Sequence, residues 1–147
     1  MEALYKRTLA KELSSSGIGV IAVGGKCFKR YLDVAKLLNN KVAVITDNDH
    51  DYAVNVTNNY SDYTQNQFPN VKIYSDTDNT RNTFEVCIYQ ENQAICDSEF
   101  QTHGRRLATV DYMLKNKAET AYLLLKNKAD TIVVPQYIQD AIRWIDA

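Results

Sequence analysis

The chain has 147 residues, a formal net charge of −1, and 45% hydrophobic and 24% charged residues. That is enough to bury a core of its own, and it excludes a disordered or fibrous polypeptide. The even charge balance also excludes a nucleic-acid footprint spread over the whole chain, although basic residues gather locally at Lys26, Lys29 and Arg30 and at Arg105 and Arg106.

The first residues, MEALYKRTLAKEL, are amphipathic and charged rather than signal-like, and no apolar run approaches membrane-spanning length. No membrane partner is expected. Leu4, Leu9 and Leu13 predict a helix over residues 2–14, stopped by the Ser-rich stretch and Gly17. Residues 20–23 then form a short apolar run closed by Gly24 and Gly25, which predicts a buried strand and a tight turn. Phe28, Tyr31, Leu32, Ala35 and Leu38 recur at helical spacing, and residues 42–45 read as a second buried strand. This alternation with short connections argues for a parallel α/β sheet with right-handed crossovers. Residues 51–70 are rich in Asn, Tyr, Asp and Gln and predict a short polar helix or an ordered loop. Residues 71–74 and 83–88 are strand-like. Leu107, Val110, Leu114, Lys117, Ala121 and Leu124 mark one face of a long helix, and Pro135 can open a last one with Ile138, Ala141 or Ile142, and Ile145 inward. Trp144 is expected in the core. The cysteines Cys27, Cys87 and Cys96 lack ligand-like spacing and fit small core residues of a reduced, cytoplasmic protein. No repeat or linker divides the chain, so one domain over residues 1–147 is expected.

Asp47 and Asp49 follow the strand 42–45 directly. Ligands of parallel α/β sheets bind beyond the carboxyl ends of the strands. Two carboxylates two residues apart at such an end can converge on one cation, and hard oxygen donors suit Mg²⁺ or Mn²⁺. The alternative is a solvated acidic turn, since Asp and Asn are common turn formers. His50 and Asp51 extend the cluster as outer partners. Glu85, within the run 83–88, either faces solvent or points into a site. Lys117 breaks an apolar helix stripe, so it either snorkels outward or faces a negatively charged transition state. Gly24, Gly25 and Lys26 could present backbone amides and a cation to a phosphate, but no Walker spacing is present.

The string from Val20 to Gly25, then residues 42–49 (VAVITDND), then Thr83-Phe84-Glu85 resembles the Toprim nuclease domain of the OLD (overcoming lysogenization defect) family. The C-terminal segments 116–121, 132–138 and 141–144 are similar to that family's ending, so the resemblance spans nearly the whole chain. It implies a Toprim-like, Rossmann-like sheet, mostly parallel and flanked by helices, with a helical C-terminal part. Members, including the nuclease subunit of the Gabija antiphage system, join an ABC-type ATPase to a C-terminal Toprim domain. The resemblance implies DNA as substrate, cleavage or nicking with two divalent ions, and the ATPase domain of a parent protein as partner; a second copy of the chain is a further one. Asp47 and Asp49 match the family's D-x-D, and Glu85 its later metal-binding glutamate. Lys117 matches the lysine placed to offset charge on the scissile phosphate, and Thr46 a hydroxyl that helps position a metal-bound group. Toprim domains open with a strand ending in E-G-x-x-E. Glu2 matches the second of these acids, as metal ligand and catalytic residue, and by that comparison a chain truncated at its N-terminus, without the first strand and its glutamate, is expected.

Two other functions compete. A strand-end D-x-D also begins phosphatases of the haloacid dehalogenase type, where the first aspartate is a nucleophile, although His50-Asp51 fits that pattern poorly. The missing strand and glutamate favour a non-catalytic module for dimerisation or for docking onto an ATPase.

Overall fold

A computed structural model describes residues 1–25, 27–64, 68–101 and 106–147. The chain is mixed α/β, with a small parallel sheet between layers of helix. Strand β1 (Val42–Ile45) pairs with β2 (Val71–Tyr74) in parallel, Val42 opposite Val71 and Ile45 opposite Tyr74. The period-two alternation of the strands sends Val42, Val44, Val71 and Ile73 to one face. There they pack against Leu32 and Ala35 of α2 (Lys29–Leu38), against Tyr63 of α3 (Ser61–Thr64) and against Tyr60 just before it. Ile45 and Tyr74 turn to the other face and join the larger core around α1 (Glu2–Leu9) and α8 (Gln136–Asp146).

Within the expected polar stretch, Ala53–Asn58 form a π-helical turn and Ser61–Thr64 form α3. The remaining helices, α4 (Phe84–Glu91), α5 (Gln93–Phe100), α6 (Thr109–Lys115) and α7 (Lys117–Lys128), stack on one another beside α8. Asn92 ties this stack to the segment before α8, donating to Val133 O at 2.8 Å and accepting from Val133 N at 2.6 Å. Pro135 caps α8, whose Tyr137, Ile138, Ala141 and Ile142 are buried.

Several expectations change. The first helix stops at Leu9, where Ala10 takes a left-handed conformation and closes it; Leu13–Ser15 is a separate 3₁₀ turn. Residues 20–23 form no strand: Val20 and Ile21 are exposed. Val42 N donates to Asn70 O and Thr46 N to Tyr74 O, so Ala43 and Ile45 turn their peptide groups to the edge away from β2. Among the described residues no strand pairs with that edge. An apolar cleft of about 660 Å³ lies between it and residues 17–23, floored by Tyr5, Ala141, Ile142 and Ile145. The expected strand 83–88 is the first half of α4. Thr83 is its N-cap, with Oγ1 accepting from Val86 N, and this local cap outweighs the β-branched composition of a short run. The long helix over residues 107–124 is two helices, because Asn116 breaks it with a non-helical conformation and donates its side-chain amide back to Tyr112 O. Trp144 is half-buried beside Tyr74, with Lys41 and Lys72 over its ring. Cys87 and Cys96 are buried as expected, and Cys27 is exposed.

Candidate functional site

Three elements distant in sequence deliver the central side chains. Asp47 follows β1 and reaches the N-terminus of α4, where its Oδ1 accepts from Phe84 N at 3.0 Å. That helix end carries unsatisfied amides and a partial positive charge, so a carboxylate is favoured there. Glu85 is in the same first turn of α4. Its Oε2 accepts from Nζ of Lys117, the first residue of α7, at 2.9 Å. The helix break at Asn116 is therefore what places Lys117 here. Glu85 is nearly covered, with 10% of its side chain exposed, while Lys117 is half open at 50%.

Burial, first of all, holds the Asp47 carboxyl above its ordinary range. The Phe84 amide opposes this, the Glu85 charge adds to it, Lys117 again opposes and Asp49 adds a last contribution. Asp47 and Glu85 thus feel each other as like charges in a partly dry place. Thr46, Asp47, Asp49, Phe84, Tyr137 and Gly25 share the wall of one cavity of about 630 Å³. Thr46 is buried, with its amide donated to Tyr74 O and its hydroxyl weakly on Asp47 O at 3.4 Å. Gly25 supplies a positive φ of 66° in the turn on the cavity's rim. Gly24 is exposed beside it. Lys26, like His103 and Arg105, lies outside the described residues.

Glu2 is exposed at the start of α1, and Met1 and Leu4, rather than Glu2, line the cavity. Asp51 turns elsewhere: its Oδ1 accepts from Val54 N. His50 Nε2 lies 2.6 Å from the side-chain amide of Asn82. Among the described residues no three acids, cysteines or histidines converge into a ready-made metal cage.

One residue that the sequence did not single out organises the loop. Asn48, the middle of the D-x-D, is almost fully buried. Its side-chain amide donates to Asp76 O and Asp78 O at 2.9 Å, and its Oδ1 accepts from His50 N at 3.0 Å. Asp49 N donates to Asn82 O. Together these bonds pin Asp49 and His50 in left-handed conformations, φ 46° and 71°. Arg81 stiffens the partner loop through Asp76, at 2.6 Å, and Glu91, at 2.7 Å. The only signal in the sequence was that Asn tolerates tight loops, which does not reveal a buried clamp.

Residues 1–49 match the family model of the overcoming lysogenization defect protein-like TOPRIM domain. This supports a Toprim domain of the OLD family, and with it a nucleic-acid-acting function of the metal-dependent nuclease type. The match runs from α1 through Asp49 and stops before Glu85 and Lys117. No curated protein and no solved structure matches the chain. No helix among the described residues is long and apolar enough to cross a membrane.

The donor chemistry fits a hard divalent cation. Mg²⁺ is commonly held by one or two carboxylates together with waters and substrate phosphates, without an all-protein cage. Asp47, on the cavity wall, and Glu85, in the adjoining first turn of α4, supply two carboxylates of that kind; burial first, and then the neighbouring acids, make an ionised Asp47 costly without a cation.

Proposed function

We propose that this Toprim domain is the DNA-cleaving or DNA-nicking part of an OLD-family ATPase–nuclease, acting with Mg²⁺ or Mn²⁺. The convergence of Asp47, Glu85 and Lys117 from β1, α4 and α7 is the observation that carries the proposal. Asp47 and Glu85 would hold the ion, with Asp49 on the same cavity wall. The two ions implied by the OLD resemblance leave Asp49 and Glu2 as the remaining acids. When bound, the metal supplies charge neutralisation and an activated water for phosphodiester hydrolysis. Thr46 and the Asn48 clamp hold the aspartates in place, and Lys117 offsets charge on a phosphoryl oxygen. Gly24, Gly25 and Lys26 would meet the DNA backbone from the neighbouring turn. The ATPase partner, a role in antiphage defence, a cytoplasmic setting, assembly into a homo-oligomer and a single domain over residues 1–147 belong to the same proposal. Supercoiled plasmid incubated with the chain and Mn²⁺ should give nicked circles. Equal nicking by Asp47→Ala would refute the assignment.

A docking module is the second function that an observation supports. The edge of β1 away from β2, unpaired among the described residues, together with exposed Val20, Ile21 and Val34, offers an apolar surface at the cleft. A chain that neither nicks DNA nor binds metal would belong to that class.

A further inference from the structure

We propose that Lys117 is an internal stand-in for the metal, held by Glu85 in the metal-free protein and released towards phosphate when the metal binds. The proposal rests on the metal-dependent reading of the site and adds an order of binding to it. Glu85 is nearly buried, and Lys117 Nζ lies 2.9 Å from its Oε2. A covered carboxylate needs a cation or protons, and Lys117 supplies the cation.

Lys117 is an unfavourable residue for its position. As the first residue of the twelve-residue helix α7 it puts a positive charge at the positive end of the helix dipole. Only the lysine end of the pair is open, at 50% exposure, so water screens the pair from that side while Glu85 stays covered. A divalent ion placed between Asp47 and Glu85 attracts each carboxylate with twice the charge of an ammonium. Glu85 would then give up its hydrogen bond from the ammonium to help hold the ion, and Lys117 would leave as an intact ammonium. Its four-carbon stem is flexible and half exposed, so the freed head group can swing to an anion entering beside Asp47. In this order metal loading creates the phosphate site. Before loading, the lysine is engaged; after it, the same lysine is an unpaired cation beside the metal.

The test is calorimetric titration of the full chain with MnCl₂, comparing wild type with Lys117→Gln, Lys117→Met and Asp47→Asn, followed by titration with inorganic phosphate. Removing the internal competitor should tighten Mn²⁺ binding by about fivefold in both Lys117 variants, the scale of a half-exposed ion pair. Wild type should bind phosphate only when loaded with Mn²⁺, and the Lys117 variants should lose phosphate binding while retaining the metal. Unchanged or weaker Mn²⁺ binding in both Lys117 variants, with Asp47→Asn still abolishing it, would overturn the exchange and leave the metal site standing. Equal phosphate binding by metal-free and loaded wild type would overturn it as well. Mn²⁺ binding that survives Asp47→Asn unchanged would instead remove the metal site on which the exchange depends.

Discussion

The carboxylate of Asp47 accepts the backbone amide of Phe84 at 3.0 Å, joining the end of β1 to the first turn of α4 across the candidate site. One side chain therefore serves two purposes, capping a helix and presenting a carboxylate to the cavity. The two can be separated. Asp47→Asn keeps an oxygen for the Phe84 amide and should retain the cap, whereas Asp47→Ala removes the acceptor and should be about 1 kcal/mol less stable than Asp47→Asn at the same pH, as lost caps are. Urea unfolding of both variants checks this.

The pH dependence of stability has a definite sign at Asp47. Its carboxyl is held above the ordinary range, so between the unfolded value and that raised value the folded state binds more protons. Its contribution is full below the unfolded value and is lost as pH rises through the raised one. Asp78 and Asp146, whose values are lowered, act in the opposite direction. The difference between wild type and Asp47→Asn isolates the Asp47 part. Urea midpoints from roughly pH 4 to pH 7 should show wild type losing ground to Asp47→Asn as pH rises.

Asn48 should be among the least replaceable residues of the loop. Its amide and carbonyl satisfy Asp76 O, Asp78 O and His50 N while almost fully buried. Asn48→Ala leaves those groups without partners and should cost about 3 kcal/mol in chemical denaturation. A cost under half of that would mean the clamp is not what fixes the loop.

The segment 18–23 gives a contrast between composition and position. Ile21 is exposed, so Ile21→Lys should change stability by no more than about 0.5 kcal/mol. Val44, in β1 and buried, should lose about 2 kcal/mol on Val44→Ala. Thermal melts of the two variants side by side decide the matter, because a buried, laddered strand at 20–23 would make the lysine the costlier change.

Much of the fold was legible in the chain. The apolar runs 42–45 and 71–74 had only one reasonable reading, and Pro135 opens α8 as its chemistry predicts. The run 20–23 was misread because a strand is made by its neighbours, and among the described residues none pairs with it. The run 83–88 was misread because five apolar or β-branched residues around Glu85 do not distinguish a strand from the start of a capped helix. The candidate site was legible at Asp47, where a D-x-D follows a buried strand. Glu85 and Lys117 were not separable from surface residues by spacing; resemblance to a family brought them forward, and the fold places them 2.9 Å apart. Asn48 could not be found, since its burial depends on a loop some thirty residues on.

The most direct measurement is calorimetric titration of Mg²⁺ and Mn²⁺ into the wild-type chain, Asp47→Asn and Glu85→Gln at neutral pH. A metal held between β1 and α4 predicts saturable binding in wild type and a loss of affinity of at least about tenfold in each variant. Equal affinities in all three proteins would contradict the metal-dependent account of this site.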